Sequence, residues 1–224
     1  MSVKLISYSQ SAQEDGGKPL DLVAYCAKVS NPANQDKMDT APKLIKYLID
    51  NNHWSPFEMV SICMEITTTR DIARQILRHR SFSFQEFSQR YADPAELGEQ
   101  FVKREARLQD KKNRQNSIET DDAKLKLKWD SAQTVNYANA VSMYQWAIDN
   151  GIAKEQARAL LPEGNTKSRV YMNGTLRSWI HFVQLRSANG TQKEHQLIAI
   201  EAGEIIKDLY GIDISLLGAP KNFT

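Results

Sequence analysis

The fold is decided between Glu58 and Tyr91, where the sequence reads EMVSICMEITTTRDIARQILRHRSFSFQEFSQRY. Up to Thr68, apolar and polar residues alternate and threonines close the run, which predicts a strand. From Arg70 to about Arg80, apolar residues recur three and four positions apart, which predicts a helix. The chain therefore combines strand and helix within one short stretch.

The rest of the chain continues this mixed pattern. Strands are predicted at 4–9 and 167–173, and helices at 19–29, 41–50, 122–149, 153–161, 175–187 and 192–209. Helices dominate and no β-α-β period repeats, which indicates an α+β fold, helix-rich around a small sheet. No linker rich in Pro, Gly or Ser divides the 224 residues, so we expect one domain over 1–224 with 93–121 as a mobile insertion loop.

Composition excludes several classes of protein. With 41% hydrophobic and 25% charged residues, the chain is expected to be neither disordered nor membrane-bound, and no apolar run approaches the roughly 18 residues of a spanning helix. The start, MSVKLISYSQ, lacks a basic stretch followed by an apolar one, so we expect a cytoplasmic protein. A net charge of +2 argues against a surface built for nucleic acid.

Absent motifs narrow the chemistry further. Two cysteines without a C-x-x-C and four histidines without an H-E-x-x-H give no basis for a metal site, so none is expected. Cys26 and Cys63 lie in apolar contexts and are expected to be buried and to be poor nucleophiles. Because neither G-x-G-x-x-G nor G-x-x-x-x-G-K occurs, any phosphate site must be built from arginines.

Positive charge is concentrated in one segment. Residues 70–116 hold 11 basic and 7 acidic residues, against 6 and 8 in 1–69 and 12 and 12 in 117–224. Three arginines spaced by four share one face of the predicted helix, namely Arg70, Arg74 and Arg78. Such a stripe is either a solvated helix face or an anion site, and the three arginines alone do not decide between them.

The residues that follow favour a nucleotide. From Arg78 to Arg90 there are three arginines, one histidine, three serines, two glutamines and one glutamate, interleaved with three phenylalanines. Guanidinium groups bind phosphate in a planar, bidentate way, and serine hydroxyls add neutral donors. The phenylalanines allow one face to pack into the protein while the other meets a ligand. This mixture suits a nucleotide better than a bare anion.

The same segment resembles the signature of a known family. Arg78-His79-Arg80, seven further residues and Ser88 reproduce the RHR-x7-S motif of the flavin-dependent thymidylate synthases. Other residues of the motif are also in place, namely Ser83, Glu86, Arg90 and Tyr91. The likeness covers nearly the whole chain. Upstream, HWSPFE at 53–58 resembles the family's H-x-[ST]-x-x-E segment, and downstream the stretches at 157–162 and 176–186 resemble its second ligand-binding block.

The resemblance implies a homotetramer whose active sites are shared between subunits. The implied reaction is the reductive methylation of dUMP to dTMP. In it, 5,10-methylenetetrahydrofolate gives the carbon, NADPH gives the hydride and FAD mediates between the two.

The resemblance also implies the residues of the site. FAD would be contacted by His53, Ser55, Arg78, His79, Arg80, Glu86, Thr175, Arg177 and His181. The substrate dUMP would be held by Gln75, Arg78, Glu86, Phe87, Ser88, Gln89, Arg90, Arg158 and Arg186. Arg186 matches the arginine credited with stabilising ionised uracil, so it is the predicted catalytic residue. Three positions carry another residue where the family commonly has asparagine, namely Gln85, Thr175 and His181.

The chemistry of the residues agrees with an arginine in this role. Methylation at C5 of uracil needs a nucleophilic carbon, which cysteine-dependent thymidylate synthases create by adding a thiolate at C6. With two cysteines in apolar contexts, the alternative is a fixed cation that stabilises negative charge developing on the ring. Ser88 has no base with an orienting third group, so it is expected to donate a hydrogen bond and not to act as a nucleophile.

The helix predicted at 175–187 leads to a geometric prediction. Arg177 and His181 are four residues apart and share a face, whereas Arg186 is nine residues beyond Arg177 and points to the opposite side. We therefore expect the two sides to serve different active sites of the oligomer. His195 is expected to be an ordinary residue of its helix.

Two other functions stay open at this point. A binding module that uses the basic segment on nucleic acid predicts steep salt dependence and no chromophore. A different flavoenzyme, such as an NADPH oxidase or a hydroxymethylase, predicts a flavin and another product. Residues 103–116 form either a solvated loop or a segment that covers the site or binds folate glutamates.

Overall fold

An antiparallel sheet organises the structure, a computed structural model that describes residues 1–12, 17–98 and 100–217. In chain order its strands are β1 (Ser2–Tyr8), β2 (Ser61–Thr69), β3 (Ser83–Glu86), β4 (Arg107–Gln109), β5 (Ser117–Glu119) and β6 (Lys167–Thr175). Four of them form one sheet in the order β1-β2-β6-β3, while β4 and β5 pair as a separate hairpin. Strands β2 and β6 therefore lie at the centre of the sheet and β3 lies at its edge.

Helices surround this sheet, and the predicted α+β class is confirmed. They are α1 (Pro19–Ala27), α2 (Ala41–Asp50), α3 (Arg70–Ile76), α4 (Ala123–Asp149), α5 (Lys154–Ala157), α6 (Leu176–Arg186) and α7 (Lys193–Tyr210). Short 3₁₀ turns lie at Pro32–Asn34, Ser55–Glu58, Pro94–Leu97, Arg158–Leu160 and Ile214–Leu217. Among the described residues, no helix is long and apolar enough to cross a membrane.

One face of the sheet is buried against α6 and α7. Alternate residues of β2 and β6 point to this inner face, as the period of two in a strand requires. The core that results contains Ile62, Met64, Ile66, Met172, Trp179, Phe182, Ile198 and Ile206. Removing this apolar surface from water contributes about 25 cal/mol per Å² and holds the two helices on the sheet.

The alternation of β2 also decides the environment of Cys63. Its neighbours in sequence, Ile62 and Met64, point into the core, so Cys63 points to the opposite face of the sheet and is half-buried. Cys26 on α1 is also half-buried. The prediction of two buried cysteines is therefore wrong, because the period of two turns Cys63 away from the core. Burial still raises the pKa of the Cys63 thiol, so its protonated form is favoured.

The helix predicted from Arg70 to about Arg80 is shorter than expected. It ends at Ile76, and the chain then turns back so that β3 can pair antiparallel with β6. The turn buries Phe82, whose ring lies 5.0 Å from that of Trp179. Because the chain must turn to bury Phe82, the helix does not extend beyond Ile76. Arg78 therefore lies in the turn and does not share a helix face with Arg70.

Helix α4 has an unusual surface for a helix that faces solvent. Its buried residues form a single stripe, namely Gln133, Tyr137, Ala140, Tyr144 and Ala147. Outside this stripe, large apolar side chains are exposed, with Leu127 at 72%, Val135 at 67% and Trp146 at 55% exposure. Exposed apolar surface of this extent on one element is typical of a protein-protein interface.

The segment predicted as an insertion, 93–121, contains the β4-β5 hairpin and a 3₁₀ turn. Two of its arginines are nearly buried. Arg104 pairs with Asp71 at 2.8 Å and with Glu194 at 3.2 Å, and Arg107 pairs with Glu194 at 2.5 Å. These arginines fix the base of the segment to α3 and α7. Movement of the remainder stays a prediction.

The close approach of Phe82 to β6 gives a test of the packing. A Cβ atom at Gly174 would lie 2.4 Å from Cδ1 of Phe82, so Gly174→Ala forces the ring to move. We expect this substitution to lower the free energy of unfolding by about 1–3 kcal/mol, measured by urea denaturation. At Gly164 a Cβ atom would meet no heavy atom within 4 Å, so Gly164→Ala is the matched control. Equal stability of the two variants would contradict the packing described.

Candidate active site

The turn between α3 and β3 presents the most basic part of the signature motif. Arg78 and Arg80 are exposed, and among the described residues neither forms a hydrogen bond or ion pair through its side chain. The turn is stabilised by backbone bonds, in which His79 N–H donates to Ile76 and Phe82 N–H donates to His79. Two guanidinium groups without an internal carboxylate partner are therefore available to an anionic ligand.

His79 and Arg186 meet behind this turn. Nε of Arg186 donates to Nε2 of His79 at 2.9 Å, which requires a neutral imidazole with its proton on Nδ1. Burial, helped by the charges of Arg186 and Arg78, lowers the pKa of His79 to about 4. The imidazole is thus neutral at pH 7 and can hold the guanidinium of Arg186 in place.

Arg186 is half-buried at the end of α6. Burial and the charge of Arg78 lower its pKa, yet a guanidinium remains charged at any physiological pH. It forms no ion pair with a carboxylate in the part of the chain that the structure describes. The arrangement holds an unneutralised cation in a fixed orientation against the neutral imidazole of His79, which is the environment that stabilises a developing anion.

His195 is a member of this site that the sequence did not reveal. It is fully buried, its ring centroid lies 6.3 Å from that of His79, and its Nδ1 lies 3.3 Å from Oε1 of Gln75. Burial, with the charge of Arg186 and the presence of His79, lowers its pKa to about 3. Helix α7 aims His195 at Gln75 and His79, a contact that the sequence did not reveal, and the prediction that His195 has no functional role stays a prediction.

Both histidines make folding stability depend on pH. Their folded-state pKa values lie below the ordinary 6.5, so between pH 6.5 and about 4 the unfolded chain binds more protons and stability falls as the pH is lowered. Each histidine contributes up to about 1.4 kcal/mol per pH unit. Urea unfolding of His195→Asn is expected to show a shallower decline than the wild type over this range, and equal slopes would contradict a buried neutral His195.

A second group of predicted substrate residues lies against α5. The guanidinium Nε of Arg90 lies 3.4 Å from a carboxylate oxygen of Glu155, and Nε of Arg158 donates to the backbone oxygen of the same residue at 3.2 Å. Ser88 accepts from the backbone N–H of Arg90 through its hydroxyl oxygen at 3.4 Å. Gln89 is buried, and its amide nitrogen has no partner among the described residues.

Glu86 and Phe87 connect β3 to its neighbours. A carboxylate oxygen of Glu86 accepts from the Ser168 hydroxyl at 2.9 Å and faces the guanidinium of Arg70 at 3.5 Å. Phe87 is half-buried, and its backbone N–H donates to the oxygen of Arg169 at 2.8 Å. Glu86 therefore orients Arg70.

The third group lies at the start of β2 and α6. Arg177 pairs with Glu58, and the ring of His181 lies edge-on to Trp54 with centroids 4.9 Å apart. Thr175 caps α6 by accepting from the backbone N–H of Ser178 at 3.3 Å. Nearby in sequence, His53 and Ser55 are exposed, and His53 lies edge-on to Tyr47 at 5.9 Å.

The predicted site residues thus fall into three groups in one chain. The first group is Arg186 with Gln75 and the turn from Arg78 to Arg80. The second is Ser88 to Arg90 with Arg158, and the third is the surroundings of Arg177 and His181. Among the described residues, no hydrogen bond or ion pair joins the side chains of Arg177, Arg158 and Arg186 to one another. Arg186 and Arg177 have different neighbours, as the helix geometry predicts.

The residues present fit an anionic dinucleotide cofactor and a nucleotide. Exposed or half-buried guanidinium groups without a carboxylate partner occur in the first two groups, at Arg78, Arg80, Arg158 and Arg186. The imidazole ring of His79 lies in the first group, and the half-buried ring of His181 lies in the third. Within the described ranges, no cluster of three His, Cys, Asp or Glu side chains is placed to hold a metal ion.

The fold and this site define a class of protein through comparison with known families. Residues 4–210 match the family model described as thymidylate synthase complementing protein. The chain is 47% identical over 205 residues to a probable flavin-dependent thymidylate synthase of Paramecium bursaria Chlorella virus 1, covering 92% of this chain and 93% of the relative. It is also 47% identical over 208 residues to a flavin-dependent thymidylate synthase of Synechocystis sp., covering 92% and 94%. The chain belongs to the family of flavin-dependent thymidylate synthases.

A solved structure agrees with this assignment. The UMP/dUMP methylase PolB from Streptomyces cacaoi, bound with 5-Br dUMP, superimposes with a TM-score of 0.77 at 27% sequence identity. The superposition covers 96% of this chain and 93% of that chain.

Proposed function

We propose that this protein catalyses the reductive methylation of dUMP to dTMP, with 5,10-methylenetetrahydrofolate as carbon donor, NADPH as hydride source and FAD as cofactor. The observation that carries the proposal is the half-buried guanidinium of Arg186, which is held by neutral His79 and opposed by no carboxylate among the described residues. Because the proposed substrates are charged nucleotides and folates, we place the reaction in the cytoplasm.

Arg186 activates the nucleotide in this proposal. Its fixed positive charge stabilises the negative charge that develops on the uracil ring, which makes C5 nucleophilic without a covalent bond to the enzyme. The phosphate is held by the arginines of the signature segment and by Arg158, since guanidinium groups bind phosphate oxygens in pairs. Gln75 and the segment from Phe87 to Gln89 add neutral hydrogen bonds.

A cysteine nucleophile is not part of the mechanism. Cys63 lies within β2 with a raised thiol pKa, which lowers the fraction of thiolate. Neither Cys63 nor Cys26 is hydrogen-bonded to a basic side chain in the described ranges. Polarisation of the ring by Arg186 replaces the thiolate.

FAD, when bound, supplies the redox chemistry that passes a hydride from NADPH to the nucleotide. The residues that would hold it are His53, Ser55, Arg78, His79, Arg80, Glu86, Thr175, Arg177 and His181. The exposed guanidinium groups of Arg78 and Arg80 suit its diphosphate, and the rings of His53 and His181 suit its planar parts. The Thr175 hydroxyl accepts from the backbone N–H of Ser178 and donates to Oγ of Ser178 at 3.2 Å, so a contact with FAD would compete with these bonds.

A homotetramer with shared active sites is the second part of the proposal. It is supported by the separation of the predicted residues into three groups, because each group alone is too small to hold dUMP and FAD. It is supported also by the exposed apolar side chains of α4, which a second copy of the chain would cover. Sedimentation velocity of the purified protein measures the assembly, and a monomer at working concentration would exclude it.

The activity is tested by three measurements on the purified protein. Flavin absorbance separates the proposal from a nucleic-acid-binding module, which has no chromophore. Release of tritium from C5 of labelled dUMP, with and without 5,10-methylenetetrahydrofolate, separates it from an NADPH oxidase, and identification of the product as dTMP separates it from a hydroxymethylase. Absence of tritium release with all substrates present would overturn the proposed function.

A further inference from the structure

A chain of four polar side chains leads from a buried ion pair to the Arg186 region. Glu194 is 4% exposed and accepts from the guanidinium of Arg107 at 2.5 Å. Its second oxygen accepts from Nε2 of Gln192 at 2.9 Å, and Oε1 of Gln192 accepts from Nε2 of Gln75 at 2.8 Å. Finally, Oε1 of Gln75 lies 3.3 Å from Nδ1 of His195.

The carboxylate of Glu194 fixes the direction of every hydrogen bond in this series of side chains. Burial alone would raise the pKa of Glu194, but the hydrogen bond from Arg107 and the charge of Arg104 outweigh it and lower the pKa, so the carboxylate only accepts. Gln192 must therefore turn its amide nitrogen to Glu194 and its oxygen to Gln75. By the same logic Gln75 turns its oxygen to His195.

His195 must then carry its proton on Nδ1. In the neutral imidazole this leaves Nε2 as a bare acceptor, and that atom is buried without a partner among the described residues. The tautomer of His195 is thus set by a carboxylate three hydrogen bonds away.

These hydrogen bonds determine which atoms of Gln75 remain free. The proposed function assigns Gln75 to the binding of dUMP. Its oxygen is committed to His195 and one amide hydrogen is committed to Gln192, while the second amide hydrogen makes no bond within the described part of the chain. The free amide hydrogen of Gln75 can therefore serve a ligand as a hydrogen-bond donor. The oxygen atoms of a pyrimidine nucleotide are the matching acceptors.

We propose that His195 is a positioning residue for dUMP, because its Nδ1–H holds Gln75 in the orientation that offers a hydrogen-bond donor to the nucleotide. The inference rests on the proposed function and extends it to a residue that contacts Gln75. Without the Nδ1–H donor, the Gln75 oxygen is left unpaired and the side chain loses one of its two anchors.

Two variants of His195 separate the N–H donor from packing. In His195→Asn, the side-chain amide places an N–H close to the position of Nδ1, whereas His195→Leu has a similar size and no donor. Calorimetric titration with dUMP is expected to show affinity about tenfold weaker in His195→Leu and within about threefold of wild type in His195→Asn. In turnover, His195→Leu is expected to raise KM for dUMP more than it lowers kcat.

Gln192→Leu provides a second test in case the His195 variants do not fold. Gln192 is only half-buried and Glu194 keeps Arg104 and Arg107, so the variant is expected to fold with a small loss of unfolding temperature while weakening dUMP binding severalfold. Lys207 lies on α7, the helix that Gln192 directly precedes, and pairs with Asp213 just beyond the end of that helix. Lys207→Ala is the control and is expected to bind dUMP like the wild type.

The outcomes distinguish this inference from the proposed function. Wild-type protein that fails to bind dUMP overturns both. Wild-type binding with equal affinity in His195→Leu, or in Gln192→Leu if His195→Leu does not fold, overturns the positioning role alone. Equal weakening in His195→Asn and His195→Leu also overturns it, because packing and not the N–H donor would then be responsible.

Discussion

Arg186→Ala is expected to lower kcat/KM for dTMP formation by about 10²–10³-fold, the range found when one fixed donor to a developing anion is removed. The side chain is half-buried, its Nε–H is bonded to neutral His79, and it forms no carboxylate ion pair in the described ranges. Its charge is therefore available to the uracil ring. Tritium release from C5 of dUMP measures the same step without the later transfers.

Arg186→Lys is the matched variant. Lysine keeps the charge but loses the planar group and the Nε–H that His79 accepts, so an intermediate rate is expected. Flavin content and urea denaturation show whether either variant is folded and loaded. An Arg186→Ala protein that methylates dUMP at the wild-type rate would refute the catalytic role.

Glu194→Ala is expected to produce the largest loss of stability, roughly 3 kcal/mol in the free energy of unfolding. The substitution leaves the nearly buried guanidinium of Arg107 without its closest carboxylate. The loss falls at the low end of the range for buried pairs, because Arg104 keeps Asp71 at 2.8 Å and Arg107 keeps Glu105 at 3.3 Å. Urea denaturation at pH 7 measures the difference.

The exposed pair of Lys46 and Asp50 provides the control for Glu194. Asp50→Ala is expected to cost less than about 0.5 kcal/mol, since water screens a surface ion pair. Because the pKa of Glu194 lies below its ordinary 4.5, the stability it contributes is present above that pH and is lost as the pH falls through the folded-state pKa. A wild-type advantage that stays constant under acid conditions would contradict this account.

The spacing of apolar residues correctly predicted those helices whose buried face repeats with the helical period. Helix α2 has the predicted bounds, and α4 begins one residue after the predicted start. The end of α3 was not predictable in this way, since it depends on burial of Phe82 against Trp179, a residue nearly a hundred positions away. Strand β3 was missed for the same reason, because its pairing with β6 is a long-range contact.

The sequence predicted the site residues that belong to a motif, but it did not predict the contacts between residues far apart in the chain. The signature segment pointed to Arg78, His79 and Arg80, but nothing in its spacing gives the bond between His79 and Arg186. His195 resembles any histidine in an amphipathic helix. The available signal was a cluster of polar residues at the start of an apolar helix, Gln192 with Glu194 and His195, which burial makes expensive unless each is bonded.

The base of the β4-β5 hairpin has a consequence for how this chain can be rebuilt. Arg104 and Arg107 supply the cations that neutralise Glu194 in the first turn of α7. A chimaera that exchanged residues 104–119 alone would leave the buried carboxylate of Glu194 without its two cations. One that exchanged α7 alone would leave Arg107 with only the exposed carboxylate of Glu105. The segment that contains the hairpin therefore has to be exchanged together with the first turn of α7 in any chimaera.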